Sequence, residues 1–264
     1  MLMRSPLGSV IIVNWNGKDY PKDCLESLRF QAFSAFEVVL VDNGSTDGSV
    51  EWIQENFPGW VRVLRNARNE GFSGGNNRGI RAALGKYIVL LNNDAQADSL
   101  CLEELVKVAE ENPRAGMLAC KIYPQGGPKI IDNVGHLIYR DGLNRGRGRL
   151  EVDRGQYEKI EEVFFPSGCA ALYRREMLEE VGLFDEDFFA YWDDTELGFK
   201  GRLAGWRCLY VPKAVVHHRA AFQGLPGMWK KRKDFKRRTR MNEREIRSCF
   251  RRFGMTAREI SWKD

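Results

Sequence analysis

The chain has 264 residues, of which 43% are hydrophobic and 29% charged, enough to bury one substantial core. Its six cysteines are scattered without the paired spacing of a zinc site or a disulfide framework, which favours a reduced cytosolic setting. The net charge is +5, yet residues 229–252 alone carry twelve lysines or arginines against three carboxylates, so the rest of the chain is acidic.

In the first half of the chain, segments with the hydrophobic pattern of a strand alternate with segments that have the pattern of a helix. Apolar runs predict strands at residues 9–13, 37–41, 61–64 and 87–91, and the segments between them predict helices at 21–30, 46–57 and 75–84. Buried strands separated by helical crossovers favour a largely parallel sheet in an α/β fold. Ligands of such sheets bind beyond the carboxyl ends of the strands.

The pattern is less regular in the second half. A helix is predicted at residues 100–112, followed by a turn-rich stretch at 124–128 and a glycine- and arginine-rich loop at 141–149. Strands are predicted near residues 163–165, 170–173, 208–211 and 214–216, and helices at 175–181 and 194–204. The final segment is helical in propensity and strongly basic.

Polar residues follow three of the predicted strands, in the segments VNWNG, VDNGSTDGS and LNNDA. Asp42 can accept a hydrogen bond from a nucleotide base, and Asp94 offers a hard oxygen ligand for Mg²⁺ or Mn²⁺. Each segment alone is also typical of an ordinary turn, where Asn and Asp are favoured. Their common position at strand ends favours a site for a metal-bound diphosphate.

A glycine-rich segment, RNEGFSGGNNRGI, spans residues 68–80 and leads into a predicted helix. Glycines let backbone N–H groups approach phosphate, and a helix N-terminus favours an anion. The segment matches neither the phosphate loop of nucleotide hydrolases nor the dinucleotide fingerprint. A simple helix-entry turn explains one glycine but not Gly71, Gly74 and Gly75 together.

An acidic segment, FDEDFFAYWDDTELGFK, spans residues 184–200. Acidic residues at a helix start are often only stabilised by the helix dipole. However, Asp193 and Asp194 directly follow Tyr191 and Trp192. Aromatic surroundings can raise the pKa of a carboxylate, so either aspartate is a candidate general base.

Seven ordered motifs resemble the family 2 glycosyltransferases, particularly the rhamnosyltransferase-like branch. They are VIIVNWNG, VVLVDNGSTDGS, NEGFSGGNNRGI, LLNNDA, PSGCAALYRRE, VGLFDEDFFAYWDDTELGFKGRLAGWR and VPKAVVHH. The resemblance implies a GT-A fold, a dTDP- or UDP-linked sugar donor, Mg²⁺ or Mn²⁺, and inversion at the anomeric carbon. The expected domain spans residues 1–225, with a nucleotide-sugar half at about 9–125 and an acceptor half at about 126–225, and a basic helical tail follows at 226–264.

The resemblance also implies roles for single residues. LNNDA occupies the place of the metal-binding D-x-D motif, with Asn92 at its first acidic position, which leaves Asp94 as the expected metal ligand. His218 matches a histidine that helps hold the metal or the diphosphate, and the adjacent His217 is the alternative.

Base recognition and proton transfer are assigned in the same way. Asp42 matches the aspartate that recognises the nucleotide base, and Asp194 matches the catalytic base, with Asp193 as the alternative. PSGCAAL is expected to line the sugar and acceptor pocket. The remaining residues expected at the donor are Asn14, Asn69, Gly71, Gly74, Gly75, Asn92 and Asn93.

The expected reaction is sugar transfer to a glycan or lipid-linked acceptor in cell-surface polysaccharide synthesis. A nucleotidyltransferase and a catalytically inactive nucleotide-sugar binding module are the alternatives. The short apolar N-terminal segment predicts neither a secretion signal nor a membrane span. Apolar anchors among the cations of the tail predict peripheral attachment to the cytosolic face of an anionic membrane, with no nucleic-acid partner expected.

Overall fold

The computed structural model describes residues 5–126, 130–139 and 144–219. The predicted tail at 226–264 lies outside the described residues. The strands are β1 (Gly8–Asn14), β2 (Phe36–Asp42), β3 (Val61–Arg65), β4 (Tyr87–Leu91), β5 (Ala95–Ala97), β6 (Ala115–Pro124), β7 (His136–Ile138), β8 (Asn144–Gly146), β9 (Glu161–Val163), β10 (Ala170–Arg174) and β11 (Arg207–His218). The helices are α1 (Pro21–Arg29), α2 (Ser49–Asn56), α3 (Gly71–Ala82), α4 (Cys101–Glu111), α5 (Arg175–Val181) and α6 (Asp193–Leu203).

The main sheet has the strand order β3-β2-β1-β4-β10-β6-β11-β5, with β9 also paired to β11. β1 to β4 are parallel to their neighbours in that group, and β6 is parallel to β11. β10 runs antiparallel between β4 and β6, and β5 and β9 run antiparallel to β11. The predicted mostly parallel α/β sheet is confirmed, and its antiparallel pairs all involve elements that follow β4.

Helices cover both faces of this sheet because its strands are apolar on both faces. Val10 and Ile12 of β1 pack in one core with side chains of α1, α2 and α4. Ile11 faces the other core, which contains Ile80 of α3 together with side chains of α5 and α6. Among the described residues, no helix is both long enough and apolar enough to cross a membrane.

The elements that follow β4 differ from the prediction at several places. The short strands β5 and β7 were not predicted, and the strand predicted near 163–165 is β9 at 161–163. β6 was not predicted, because its small and mixed side chains have little strand propensity of their own and its position between β10 and β11 determines the strand. The two strands predicted near 208–211 and 214–216 are one strand, β11, whose register shifts between Val211 and Val215, around Pro212. Residues 144–146 of the predicted loop form β8, which pairs with β7.

Candidate active site

A cleft of about 1200 Å³ opens beyond the carboxyl end of β4. Its wall combines the segment after β4, the segments around β7 and β8, and the start of α6. Of the predicted site residues, those that line the cleft are Asn92, Asp94, Asp193, Asp194 and His218. Ser167, Gly168 and Cys169 of the PSGCAAL motif line it as well, in keeping with the expected pocket.

The predicted residues at the ends of β1 and β2 form a buried polar network next to the cleft. The Asn14 amide donates to Ser49 Oγ at 2.9 Å and to Asp42 Oδ1 at 3.3 Å. Asn93 donates to Asn14 Oδ1 at 2.9 Å, and Asp42 Oδ2 accepts the Ser45 N–H at 3.0 Å. Asn14 and Asp42 are almost fully buried, so their side chains are held in one orientation by partners within the chain.

The glycine-rich segment packs closely against the acidic segment. α3 begins at Gly71 and not at Gly75 as predicted, because the first turn of the helix is held by tertiary contacts that override the low helix propensity of glycine. Phe72 N–H donates to the Phe189 carbonyl at 2.8 Å. Gly71 has φ +73, and a Cβ there would lie 2.1 Å from the Phe189 oxygen.

The other predicted residues of this segment have close contacts too. A Cβ on Gly75 would lie 2.8 Å from Val13 Cγ1, and one on Gly74 would lie 2.8 Å from Glu70 Cβ. Asn69 Oδ1 accepts the Gly71 N–H at 2.9 Å. These contacts give the glycines a packing role that needs no phosphate, and their predicted role toward the donor stays a prediction.

His218 and Asp94 lie together in the cleft. His218 Nε2 is 3.3 Å from Asp94 Oδ1, and His218 Nδ1 is 3.8 Å from Asp132 Oδ2. Burial acts to lower the pKa of the His218 imidazole, whereas Cys169 and the carboxylates of Asp132 and Asp94 raise it, and the balance lies well above the ordinary value. The arrangement therefore favours a positive charge between Asp94 and Asp132.

The adjacent histidine points elsewhere. His217 Nε2 is 3.2 Å from Asp98 Oδ1, and its ring stacks on Tyr123 with centroids 5.8 Å apart. Successive side chains of a strand point to opposite faces, so only one of the two histidines can face Asp94. Of the two histidines, His218 is the one in the cleft.

Asp193 is buried against α3. Its Oδ2 is 3.2 Å from Ser73 Oγ, and Ser73 Oγ is 2.5 Å from the Phe188 carbonyl. A serine hydroxyl has one proton to donate, so Ser73 can donate to the Phe188 carbonyl or to Asp193, but not to both at once. Burial, and then the charge of Asp194, raise the pKa of Asp193 to about 7, although hydrogen bonds from the Asp194 N–H and from Ser73 act to lower it.

Asp194 is more accessible than Asp193 and lines the same cleft. Its Oδ2 accepts the Gly168 N–H at 3.2 Å, and its Oδ1 accepts the Thr195 hydroxyl at 3.4 Å. Both groups donate to the carboxylate and fix its orientation at the cleft. The pair therefore combines a buried, readily protonated carboxyl group with a half-buried carboxylate that faces the cleft.

The backbone before this pair is strained. Tyr191 and Trp192 have φ values of 69° and 73°, in the left-handed region that residues other than glycine rarely adopt. Both residues line the cleft. Strain of this kind persists where the surrounding structure imposes it, and it is frequent at functional sites.

Several cleft residues were missed by the sequence reasoning. Asp132 contacts His218 as described above and forms an ion pair with Arg149 at 2.8 Å. His136 stacks on Phe165 with centroids 4.6 Å apart, and burial lowers the pKa of its imidazole. Asn144 donates to Thr195 Oγ1 at 2.5 Å. The only available signal was the density of polar residues in the irregular stretch after β6.

Residues 9–182 match the family model described as Glycosyl transferase family 2, so the chain belongs to this family. It is 30% identical over 238 residues to N-acetylglucosaminyl-diphospho-decaprenol L-rhamnosyltransferase of Mycobacterium tuberculosis, an alignment that covers 81% of this chain and 77% of that protein. The predicted membership and the likeness to the rhamnosyltransferase-like branch are confirmed. The chain is a family 2 glycosyltransferase of polysaccharide or glycan biosynthesis.

Solved structures share the fold. GalNAc-T7 with UDP, GalNAc and Mn²⁺ has a TM-score of 0.66 at 21% identity, over 82% of this chain and 44% of that one. The mannosyltransferase PcManGT from Pyrobaculum calidifontis, in complex with GDP-Man and Mn²⁺, has a TM-score of 0.61 at 20% identity, over 88% of this chain and 61% of that one. The chain thus spans less than two thirds of each of these structures. The likeness confirms the predicted GT-A fold.

Proposed function

We propose that this chain is an inverting glycosyltransferase that moves a sugar from a nucleoside diphosphate to a hydroxyl of a lipid-linked or glycan acceptor in cell-surface polysaccharide synthesis. The observation that carries the proposal is that Asp194 and the Asp94–His218 pair line one cleft. The name of the mycobacterial relative supports rhamnose as the sugar and a diphosphate-linked lipid as the acceptor.

Asp194 is the base in this proposal. Its carboxylate takes the proton of the acceptor hydroxyl while that oxygen attacks the anomeric carbon, and the nucleoside diphosphate leaves from the opposite side of the carbon. One bond forms and one breaks in a single displacement, so the anomeric configuration is inverted. The N–H of Gly168 orients the carboxylate, and Asp193, held by Ser73 and by the Asp194 N–H, positions the start of α6.

Asp94 and His218 are the residues that would hold a divalent cation, Mg²⁺ or Mn²⁺. Among the described residues, no group of three or more histidines, cysteines and carboxylates is arranged to hold a metal ion. A site with few protein ligands fits a cation that is bound partly by substrate phosphates. A bound cation would neutralise charge that develops on the leaving diphosphate. Two structural neighbours hold Mn²⁺, which supports the proposal.

We assign binding of the donor nucleotide to the buried network of Asn14, Asp42 and Asn93. Fixed hydrogen-bond partners hold these side chains in place before a nucleotide arrives, which reduces the ordering cost of binding. The predicted bond from a nucleotide base to Asp42 belongs to this part of the proposal.

Calorimetry tests the donor and metal assignments together. We expect UDP or dTDP to bind the full chain in the presence of Mn²⁺ and to bind at least about tenfold more weakly to Asp94→Ala, since a charged ligand is lost. His218→Ala should behave in the same way.

The neighbouring pair supplies matched controls. Asp98→Ala and His217→Ala each remove one partner of the His217–Asp98 contact, which lies next to the His218–Asp94 contact. Both variants should leave the metal-dependent affinity unchanged. Equal affinity in Asp94→Ala and the wild type would remove Asp94 from the metal assignment.

The basic tail is proposed to hold the enzyme at an anionic membrane surface near its acceptor. Attraction of this kind weakens with salt. Co-sedimentation with anionic vesicles should be strong for the full chain and weak for a truncation that ends at Gln223. Equal sedimentation of both proteins would defeat the role of the tail and leave the transfer assignment untouched.

A further inference from the structure

His136 of β7 is held in a single tautomer by the neighbouring side chain of Asn133. The Asn133 Oδ1 atom accepts the Gly135 N–H at 2.6 Å, so the end of the side chain that lies 2.9 Å from His136 Nε2 is the amide nitrogen. An amide nitrogen can only donate, and His136 Nε2 must therefore accept and carry no proton. Burial lowers the pKa of His136, in agreement with a neutral ring. A neutral imidazole without a proton on Nε2 carries its proton on Nδ1.

Asn133 is itself fixed in position. Its backbone N–H donates to the Ile122 carbonyl of β6 at 3.2 Å, and its carbonyl accepts the Ile122 N–H at 2.8 Å. Gly146 pairs with His136 across β7 and β8, and a Cβ on Gly146 would lie 2.7 Å from Asn133 Nδ2. The glycine thus leaves room for the amide that contacts the imidazole. The surroundings, and not the imidazole itself, determine where the proton of His136 lies.

The Nδ1–H of His136 has no hydrogen-bond partner within the part of the chain that the structure describes, and the atom is buried. Buried donors almost always have a partner, so an exception of this kind needs an explanation. His136 lines the cleft. Nδ1 itself is shielded from solvent, so a ligand reaches it only when neighbouring side chains move on binding, an adjustment that is common at binding sites. The cleft therefore contains a fixed donor that the described residues leave unused.

The strand pairing places this donor near the candidate base. Partners across an antiparallel pair lie on one face, and so do residues two positions apart in a strand. Asn144 is two residues from Gly146, the partner of His136, so the side chains of Asn144 and His136 share a face of the β7–β8 pair. Asn144 donates to Thr195 Oγ1, and Thr195 follows Asp194 at the start of α6. This face is thus directed at the first turn of α6.

The aromatic contact of His136 leads to the same place. Its ring stacks on Phe165 with centroids 4.6 Å apart. Phe165 packs against Gly198, where an added Cβ would overlap the Phe165 side chain. Gly198 is one helical turn after Asp194 and lies on the same face of α6. Gly168, which follows Phe165 closely in the chain, donates its N–H to Asp194. Two independent sets of contacts therefore bring His136 and Asp194 to one part of the cleft.

The charges around His136 favour an uncharged ligand atom. The carboxylates of Asp194 and Asp132 act on its imidazole more strongly than the guanidinium of Arg149 does. A phosphate at the Nδ1–H would be repelled by both carboxylates. A hydroxyl can accept the hydrogen bond from Nδ1–H and donate its own proton to a carboxylate, so a sugar hydroxyl fits this part of the cleft.

We propose that His136 is a further substrate-binding residue, which donates its Nδ1–H to a hydroxyl of the acceptor sugar beside the hydroxyl that Asp194 deprotonates. This inference rests on the proposed function, since that function places the acceptor sugar at Asp194. The contact orients the acceptor sugar and favours acceptors that carry a hydroxyl at this position. His136 takes no part in the proton transfer.

Nitrogen NMR measures the tautomer directly. The chain has three histidines, so the full chain labelled with ¹⁵N-histidine gives three sets of ring signals, and the set that is lost in His136→Phe belongs to His136. At mildly alkaline pH, with UDP and Mg²⁺ present, we expect Nδ1 of His136 to carry the proton and Nε2 to carry none. Methyl N-acetylglucosaminide, an uncharged glycoside, should then shift the Nδ1 signal in a saturable way. The opposite tautomer would overturn the contact, and so would the absence of a shift, the result expected if only an ordered water meets the Nδ1–H.

Two substitutions separate a donor from a packing role. His136→Phe keeps an aromatic ring on Phe165 and removes the Nδ1–H, whereas His136→Asn loses the ring and keeps an amide nitrogen that branches from the same carbon as Nδ1. His136→Phe should weaken glycoside binding and raise the KM for the acceptor about three- to tenfold, as expected for one lost hydrogen bond, with the affinity for UDP and Mg²⁺ unchanged. His136→Asn should be the milder change. A side chain that only packs predicts the reverse order, and that order would overturn the proposal.

His217→Phe is the matched control. His217 also stacks on an aromatic ring, that of Tyr123, but it is not among the described residues of the cleft wall, so this variant should bind the glycoside like the wild type. An equal loss in His217→Phe would overturn the proposal. Glycoside binding that depends on His136 in a protein without transfer activity would reject the proposed function and keep the contact. Transfer by His136→Phe with the KM of the wild type for the acceptor would reject the contact and keep the function.

Discussion

Polar side chains have different environments at the ends of β1 and β2 and in the cleft beyond β4. At the strand ends, Asn14 and Asp42 are almost fully buried and hydrogen-bonded within the chain. In the cleft, Asp94 and Asp194 keep partial access to solvent, and buried Asp193 has a strongly raised pKa. The first region is a frame fixed by hydrogen bonds within the chain, and the second contains a group that can gain or lose a proton near neutral pH.

The two regions are joined by α3. Its first turn contacts the acidic segment through Phe72 and Ser73, while Gly75 packs on β1. The glycine-rich segment therefore connects the polar network at the strand ends to the acidic segment. Changes in either region should have separable effects, whereas changes at this junction should affect both.

The largest expected effect is on the base. Asp194→Asn keeps the size of the side chain but cannot accept the acceptor proton, so transfer should fall by about 10²–10⁴-fold with nucleotide binding preserved. Initial rates and calorimetry on the same preparation check this. Normal turnover in Asp194→Asn with an inactive Asp193→Asn would exchange the roles of the two residues.

The junction is probed by Gly71→Ala. Gly71 and Gly59 both have φ near +70°, but a Cβ on Gly59 meets nothing within 4 Å whereas one on Gly71 meets the Phe189 backbone. Gly71→Ala should therefore lose about 1–3 kcal/mol more of the free energy of unfolding than Gly59→Ala, because overpacking adds to the shared dihedral strain. Urea denaturation measures both variants. Equal losses would mean that the contact with Phe189 is unimportant.

The raised pKa of Asp193 predicts a pH dependence of stability. Its pKa is 3.8 ordinarily and about 7 in the folded protein, so between these values the folded state binds more protons than the unfolded state. The contribution of Asp193 is therefore most favourable at low pH and is lost as the pH rises toward 7. Asp193→Asn should make the free energy of unfolding less dependent on pH between about 4 and 7.

Other groups also titrate in this range, so a control is needed. Asp185→Asn, at an exposed position of the same acidic segment, should keep the pH dependence of the wild type. An unchanged slope in Asp193→Asn would show that Asp193 is already ionised in the folded protein.

The smallest effect is expected from Ser73→Ala. It removes the hydroxyl that contacts both the Phe188 carbonyl and Asp193, at a cost of about 1–3 kcal/mol in stability. The transfer rate should fall far less than in Asp194→Asn, since Ser73 only positions the start of α6. A loss of activity as large as that of Asp194→Asn, in a folded Ser73→Ala variant, would contradict this positioning role.

The sequence was sufficient for the parallel part of the fold. β1 to β4 and the helices between them follow from local hydrophobic periodicity, and the polar residues at their ends are visible as interruptions of apolar runs. β6 and β8 escaped prediction because pairing partners, rather than their own residues, define them. The start of α3 was misplaced for the same reason, since its first turn depends on the acidic segment far along the chain.

The candidate site was predicted in part. Asp94, Asp194 and His218 stand in recognisable motifs, but the order of the two histidines needed the strand geometry of β11. The contact of Ser73 with Asp193 joins residues 120 positions apart, and no local pattern reveals it. Asp132 was missed because it follows no regular strand and acquires its partners, His218 and Arg149, only in the folded chain.

The leaving group of the reaction tests the central claim most directly. The wild type should be incubated with Mn²⁺, a panel of dTDP- and UDP-sugars and a lipid-diphosphate-linked sugar, and the products should be identified by mass. We expect one nucleoside diphosphate to be released for each sugar added to the acceptor, and neither product with Asp194→Asn. Release of pyrophosphate or of a nucleoside monophosphate, or equal product from Asp194→Asn, would contradict it.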